Sequence, residues 1–169
     1  SAYSEVNTGV LVRSGEWQHI AFTRAANKNA VNFYLNGQLA FSGTASGAGR
    51  GAITNSANEF NVGSDGSTLF FDGVVDELRL FNVVRNQTQI EDDMHTYGPV
   101  STTGLTAYYD FNEGIDGTTG SGTVINRAAG AASSTNLTTS GSPEYDDVKD
   151  VDTATVSGEA IVTFPRSYL

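Results

Sequence analysis

The sequence predicts an all-β domain: an antiparallel sandwich carrying one short helix. Three observations predict it. Short β-branched and aromatic runs recur along the chain between turns rich in Gly, Asn, Asp and Ser. Asn36-Gly37 lies between two such runs, the strongest short-range hairpin signal, because a type I′ turn needs positive φ at both central residues. Leu105–Glu113 alternates, with Leu105, Ala107, Tyr109 and Phe111 on one side and Thr106, Tyr108, Asp110 and Asn112 on the other. Many short strands of this kind pack as antiparallel layers.

The elements follow in order. Trp17–Arg24 is a strand after the Ser14-Gly15 turn. Ala30–Leu35 and Gln38–Ser42 flank the Asn36-Gly37 turn. Gly43–Asn58, rich in Gly, Ser, Ala and Asn, reads as a long loop. Glu59–Gly63 and Thr68–Phe71 are short strands around a Ser64–Ser67 turn, and Gly73–Val83 is a long strand. The helix is Asn86–Thr96, with Asn86 as N-cap, Ile90 and Met94 as a small apolar stripe, and Gly98-Pro99 as the stop. After Gly114 the chain reads as loop to about Ser142, with one weak strand at Thr123–Asn126. Glu144–Asp152 is acidic. Glu159–Phe164 is a last strand, limited by Pro165. There is no internal repeat and no coiled-coil pattern.

Composition narrows the function. The 169 residues suffice for one domain with a full core, or for one domain plus part of another. Nineteen acidic against nine basic residues give a net charge of −10, which argues against nucleic acid and anionic membrane surfaces and is compatible with divalent cations. Without cysteine there is neither a disulfide framework nor a thiolate metal site. No apolar run approaches the ~20 residues of a membrane span, so no membrane insertion is expected. The start at Ser1, without Met, is read as a processed or excised segment. Abundant Gly, Ser, Thr, Asn and Ala with scarce Lys suit an extracellular, bacterial β-protein.

The segment Phe71–Asn82 (F-D-G-V-V-D-E-L-R-L-F-N) carries the sharpest chemical signal. Under strand alternation, Val74, Asp76, Leu78 and Leu80 share the core side, and Val75, Glu77, Arg79 and Phe81 the other. Asp76 then points inward. A buried unpaired carboxylate costs several kcal/mol. Asp76 therefore needs an Arg or Lys, a set of backbone N–H donors, or a metal ion.

W-Q-H-I-A-F-T-R, N-F-Y-L-N-G-Q-L-A, F-N-V-G-S-D-G and F-F-D-G-V-V-D-E-L-R-L-F-N, followed by a short acidic helix, occur in that order over Ser14–Tyr97. This resembles the second half of laminin-G-like domains, of the superfamily that includes concanavalin-A-like lectins, pentraxins and laminarinase-type glucanases. The resemblance implies a jelly-roll sandwich of the laminin-G/concanavalin-A type. Gly104–Gly114 (G-L-T-A-Y-Y-D-F-N-E-G) resembles the strand that normally opens such a domain, here out of order, and S-G-E-A-I-V-T-F at Ser157–Phe164 resembles the strand pair that follows it. The favoured reading is one sandwich over residues 1–169, permuted or strand-exchanged, with 1–98 as the family's second half and 104–169 as its opening strand and following segment. The alternative is the junction of two tandem units. An unfilled sheet edge would also allow self-association through strand 105–113.

The resemblance implies a structural calcium where the opening strand meets the late strand, which here assigns Asp76, Glu113 and Gly114 as metal ligands. Calcium takes 6–8 hard oxygens at ~2.3–2.6 Å. The competing reading has Asp76 capping backbone N–H groups or pairing with an Arg. Asp110–Asp116 echoes a calcium loop only superficially, since Gly falls one position early and Ser121 stands at the twelfth place. Glu144–Asp152 reads as a solvated loop, with a cation role as the lesser alternative. Asp65 and Asp72 read as turn residues. His19 reads as a hydrogen-bonded structural histidine, with His95 on the helix end, and Trp17 as core. Tyr34, Tyr108, Phe41 and Phe70 are candidates to stack on sugars.

Catalysis finds little support. The laminarinase-type Glu-x-Asp-x-x-Glu strand is absent, as are G-x-S-x-G, H-E-x-x-H and a phosphate loop. Asn86 and Asn136 head glycosylation sequons that matter only in a eukaryotic secretory host. The expected function is a non-catalytic extracellular or cell-surface binding and adhesion module, with a structural Ca2+ and a glycan or protein ligand at the sandwich rim. The alternatives are a structural subunit of an extracellular assembly joined by strand exchange, and an ancillary domain of a secreted glycoside hydrolase.

Overall fold

The computed structural model describes residues 7–25, 30–44, 60–64, 70–114, 117–120, 122–140 and 143–145. Among them the chain forms antiparallel ladders and one short α-helix. The first sheet has the order β1-β2-β3, with β1 at Ile20–Arg24, β2 at Ala30–Leu35 and β3 at Gln38–Thr44. Asn36 and Gly37 turn the β2–β3 hairpin at φ 50° and 76°, the left-handed pair the turn requires. The turn is also tied back to β1. Asn36 N donates to the His19 carbonyl at 2.8 Å, and its Oδ1 accepts from His19 N at 2.9 Å. A bulge between Phe33 and Tyr34 shifts the register of the hairpin.

The second ladder places the functional region. Strand β4 (Leu78–Phe81) pairs antiparallel with β5 (Leu105–Tyr109), with Leu78 opposite Tyr109 and Leu80 opposite Ala107. Leu105–Tyr109 thus packs on its own chain. Between them lies α1 (Gln87–Met94). Asn86 Oδ1 accepts from Gln89 N at 2.9 Å and Gln89 Oε1 accepts from Asn86 N at 3.0 Å, a complete capping box. Ile90 is buried and Met94 half-buried, as the apolar stripe predicts. Asp93 is buried too, because it pairs with Arg85 at 2.5 Å. The Arg85 guanidinium also lies 4.5 Å from the Phe81 ring centroid.

A third, two-residue ladder joins β6 (Thr123–Val124) to β7 (Leu137–Thr138). It brings Val124 and Leu137 onto a core of Ala107 and Tyr109, with Leu78, Leu80 and Phe111 packed against it. The apolar side of the alternating Leu105–Glu113 segment is therefore the core side. Between β1, β4 and α1 the described residues leave an apolar cavity of about 460 Å³, lined by Ile20, Phe22, Leu78, Phe81, Val84 and Ile90 among others.

Several expectations need correction. The Gly73–Val83 strand contracts to Leu78–Phe81, because Glu77 takes a left-handed φ of 54° and breaks the pleat. Leu105–Glu113 ends at Tyr109, followed by the left-handed Phe111 at φ 48°. Leu137–Thr138 is a strand where loop is expected. Glu159–Phe164, Asp65, Asp116, and Asp146, Asp147, Asp150 and Asp152 of the acidic run lie outside the described residues. Glu144, the first residue of that run, bridges Thr119. No helix among the described residues is long and apolar enough to cross a membrane.

Candidate functional site

The candidate site is the end of the β4–β5 ladder, where both strands leave regular structure through left-handed residues. Glu77 precedes β4 and Phe111 follows β5, and Leu78 faces Tyr109 at the last rung. A left-handed non-glycine backbone costs of order 1–3 kcal/mol and persists only where surrounding contacts fix it. For Glu77 those contacts are visible. Tyr108 donates its hydroxyl to Oε1 at 2.8 Å, and Arg79 Nη2 meets Oε2 at 2.7 Å. Gly98 N donates to Oε2 at 3.1 Å. Arg79 Nη2 also reaches the carbonyls of Thr96 and Gly98, both at 2.9 Å, and its guanidinium lies 5.6 Å from the Tyr108 ring centroid.

Glu77 is only 2 % exposed and Asp76 7 %. Alternation allows one of two successive residues to point inward; the turned backbone lets both do so. Asp76 is inward as expected, and its Oδ1 accepts from Glu77 N at 2.8 Å. Glu77, expected on the outer side, is the more deeply buried. The signal that could have found it is Arg79 two residues on, a cation on an otherwise apolar strand.

A second carboxylate group sits just beyond β5. Arg127 Nε meets Asp110 Oδ1 at 2.5 Å and its Nη2 meets Glu113 Oε1 at 3.0 Å. Ile125 N donates to the same Glu113 oxygen at 3.1 Å. Glu113 Oε2 is buried with no hydrogen-bond partner among the described residues. Gly114 lies against the Tyr145 ring so closely that a Cβ there would overlap it. Arg127 comes from a segment that Asn126 clamps to β5. Asn126 Oδ1 accepts from Tyr108 N and Ala128 N, both at 3.0 Å, and its Nδ2 donates to the Thr106 carbonyl at 3.2 Å and Thr135 Oγ1 at 2.9 Å.

A calcium ion here would have to draw largely on main-chain oxygens. Among the described residues no group of three or more His, Asp or Glu gathers to hold a metal ion. Of the expected ligands, Glu113 spends one oxygen on Arg127 and Ile125 N, and Asp76 spends one on a backbone N–H. Six to eight oxygens are needed. The lone oxygen Glu113 Oε2 is a small part of such a set.

Burial sets the protonation of neighbouring groups. It lowers the His19 pKa to about 4, with Arg79 and His95 adding repulsion, so His19 is neutral at physiological pH. Burial and the bond to Glu77 push the Tyr108 hydroxyl well above its ordinary range. The bond to Asp110 raises Arg127 further still. Of the four candidate stacking aromatics, Tyr34 and Tyr108 are buried and cannot stack on a sugar. Phe41 is half-buried in β3, and Phe70, beside the Ser64 bridge, is 75 % exposed. Phe60 and Tyr97 are further exposed aromatics.

A family sequence model of laminin G type, described as the concanavalin A-like lectin/glucanases superfamily, matches residues 1–91. The match covers the first sheet and β4 and ends within α1, before β5. Neither the curated proteins nor the solved structures compared with the chain gave a match.

Proposed function

The chain belongs to the concanavalin A-like lectin/glucanase superfamily, and on that footing we propose that it is a non-catalytic extracellular binding module, taking a glycan or protein ligand at the rim of a jelly-roll sandwich. The single observation that carries this reading is the family match over residues 1–91, which includes Asp76, Glu77 and β4. The antiparallel ladders are then parts of the two sandwich layers.

The state of the carboxylates supports a binding role over catalysis. Glu77 is saturated by Arg79, Tyr108 and Gly98, and Asp93 by Arg85 and Val100 N. Asp110 and Glu113 share Arg127. A general acid or base must reach the proton it transfers, within about 2.6–3.2 Å of substrate; apart from Glu113 Oε2, the oxygens named here are engaged by other groups of the chain. Phe70 is the residue best placed to meet a sugar face, since a flat exposed ring offers apolar area against the C–H side of a pyranose. Assembly by strand exchange would have to open the intrachain β4–β5 ladder.

A glycan array and a panel of extracellular-matrix proteins, probed with the full chain, test this. Saturable binding that Phe70→Ala weakens about tenfold, the loss of one good stacking contact of about 1.4 kcal/mol, supports it. Turnover of a bound oligosaccharide overturns the non-catalytic part. Absence of saturable binding on both panels overturns the ligand part.

A further inference from the structure

The carboxylates beyond β5 are balanced by an arginine that the chain delivers with care. Asn126, itself 7 % exposed, makes four side-chain hydrogen bonds, two of which, to Tyr108 N and the Thr106 carbonyl, hold its segment along β5. Asn126 N is held in turn by Asn136 Oδ1 at 2.8 Å, and Arg127 N donates to the Tyr108 carbonyl at 2.8 Å. This fixes the backbone on both sides of the Arg127 side chain. Its guanidinium then spans Asp110 and Glu113 at 2.5 and 3.0 Å, a fork shared between two acceptors. Both carboxylates are largely withdrawn from water: the Asp110 and Glu113 side chains are 15 % and 11 % exposed.

We infer that Arg127 supplies the positive charge that the family resemblance assigns to a calcium ion, so that this rim is held without a resident metal. A divalent ion bound by Glu113 would sit beside the guanidinium and be repelled by it. Of the oxygens it would need, Glu113 Oε2 has no partner among the described residues, whereas Asp110 Oδ1 and Glu113 Oε1 are held by Arg127 and Ile125 N. Removing the guanidinium frees Asp110 and Glu113 together, and two adjacent carboxylates attract a hard divalent cation. The inference concerns what braces the rim and is independent of what the rim binds.

Thermal melting of the full chain in calcium and in EGTA tests it, with Arg127→Gln and Arg127→Gln/Glu113→Gln as variants. The wild-type midpoints coincide in the two buffers. Arg127→Gln melts about 2–4 °C lower in EGTA, calcium recovers part of that loss, and the double variant shows no calcium response. Elemental analysis of wild-type protein purified without chelator finds calcium far below one ion per chain. Stoichiometric calcium, or a wild-type midpoint that falls in EGTA, overturns the inference. So does an Arg127→Gln loss that calcium leaves untouched, since Arg127 would then be a brace with no cation role. Should Arg127→Gln fail to fold, the elemental analysis and the wild-type melts decide alone.

Discussion

Tyr108 donates its hydroxyl to Glu77 at 2.8 Å across the β4–β5 ladder, with both side chains buried. The bond closes a network that Arg79 and the Gly98 amide complete. It holds the end of the helix-following loop onto the strand that precedes the helix. The left-handed backbone at Glu77 is the condition for it, because a regular strand would turn that carboxylate away.

Removing Glu77 therefore leaves Arg79 buried without its counter-charge. Glu77→Ala is expected to lose about 3–5 kcal/mol of stability. Tyr108→Phe leaves the ion pair and removes one bond, costing about 1–3 kcal/mol. Urea unfolding of both variants and their double mutant measures this. A coupling energy near zero would mean the hydroxyl and the carboxylate act independently.

Asn126 makes two bonds as acceptor and two as donor from one buried side chain. Asn126→Ala strands several of those partners and is expected to cost at least about 2 kcal/mol. Asn126→Asp keeps the acceptors but loses the donors to Thr106 and Thr135, and adds a buried charge. It should be at least as damaging as Ala despite its similar shape. Denaturant midpoints for the pair give the comparison; an Asp variant as stable as wild type would contradict the donor assignment.

His19 has its pKa lowered to about 4, chiefly by burial, against an ordinary 6.5. The unfolded chain thus binds the extra proton first as pH falls. Its contribution is intact above about pH 6.5 and is lost progressively down to about pH 4, on the order of 3 kcal/mol over the whole window. His19→Gln is expected to flatten the stability–pH curve between those limits, whatever its cost at neutral pH. Unfolding free energies of both proteins across the window test it, and parallel curves would count against burial as the cause.

Gly104 has φ 74°, and its carbonyl accepts from Asn82 N at 2.8 Å. A Cβ there would lie 2.5 and 2.8 Å from the Val83 methyls and 2.9 Å from Asn82 Oδ1. Gly104→Ala is expected to lose about 1–2 kcal/mol from backbone handedness alone, with a further loss from the clash. Val83→Ala, at a residue 44 % exposed, removes the methyls and should restore the clash part only. A double variant as unstable as Gly104→Ala would assign the cost to the backbone and the Asn82 contact rather than to the Val83 methyls.

What the sequence made legible was whatever one local rule decides. Asn36-Gly37 needs only its own dihedrals, and Asn86 with Gln89 needs only one helical turn. The alternation of Leu105–Tyr109 was enough to find the core side of β5. Glu77 was misplaced because a single left-handed residue reverses which face its neighbours occupy, and nothing in the local composition marks Glu as left-handed. Arg127 was overlooked altogether. It lies in a stretch with weak strand character, and it matters only because Asn126 hydrogen-bonds to a strand eighteen residues earlier. Tyr108 looked exposed by alternation, yet its outer side is covered by the Arg79 network.

The ladder that resembles a domain's first strand meeting a late one is here closed over residues 82–104 alone. Closing a short loop costs less entropy than bringing distant ends together. The β1–β2 and β2–β3 pairings are also between neighbours in the chain. These pairings thus join strands that are neighbours in the chain, which limits the entropy lost in closing each one. Because this strand follows its partner, the β4–β5 ladder can form during chain synthesis once Tyr109 emerges, before the Arg127 segment that braces its end.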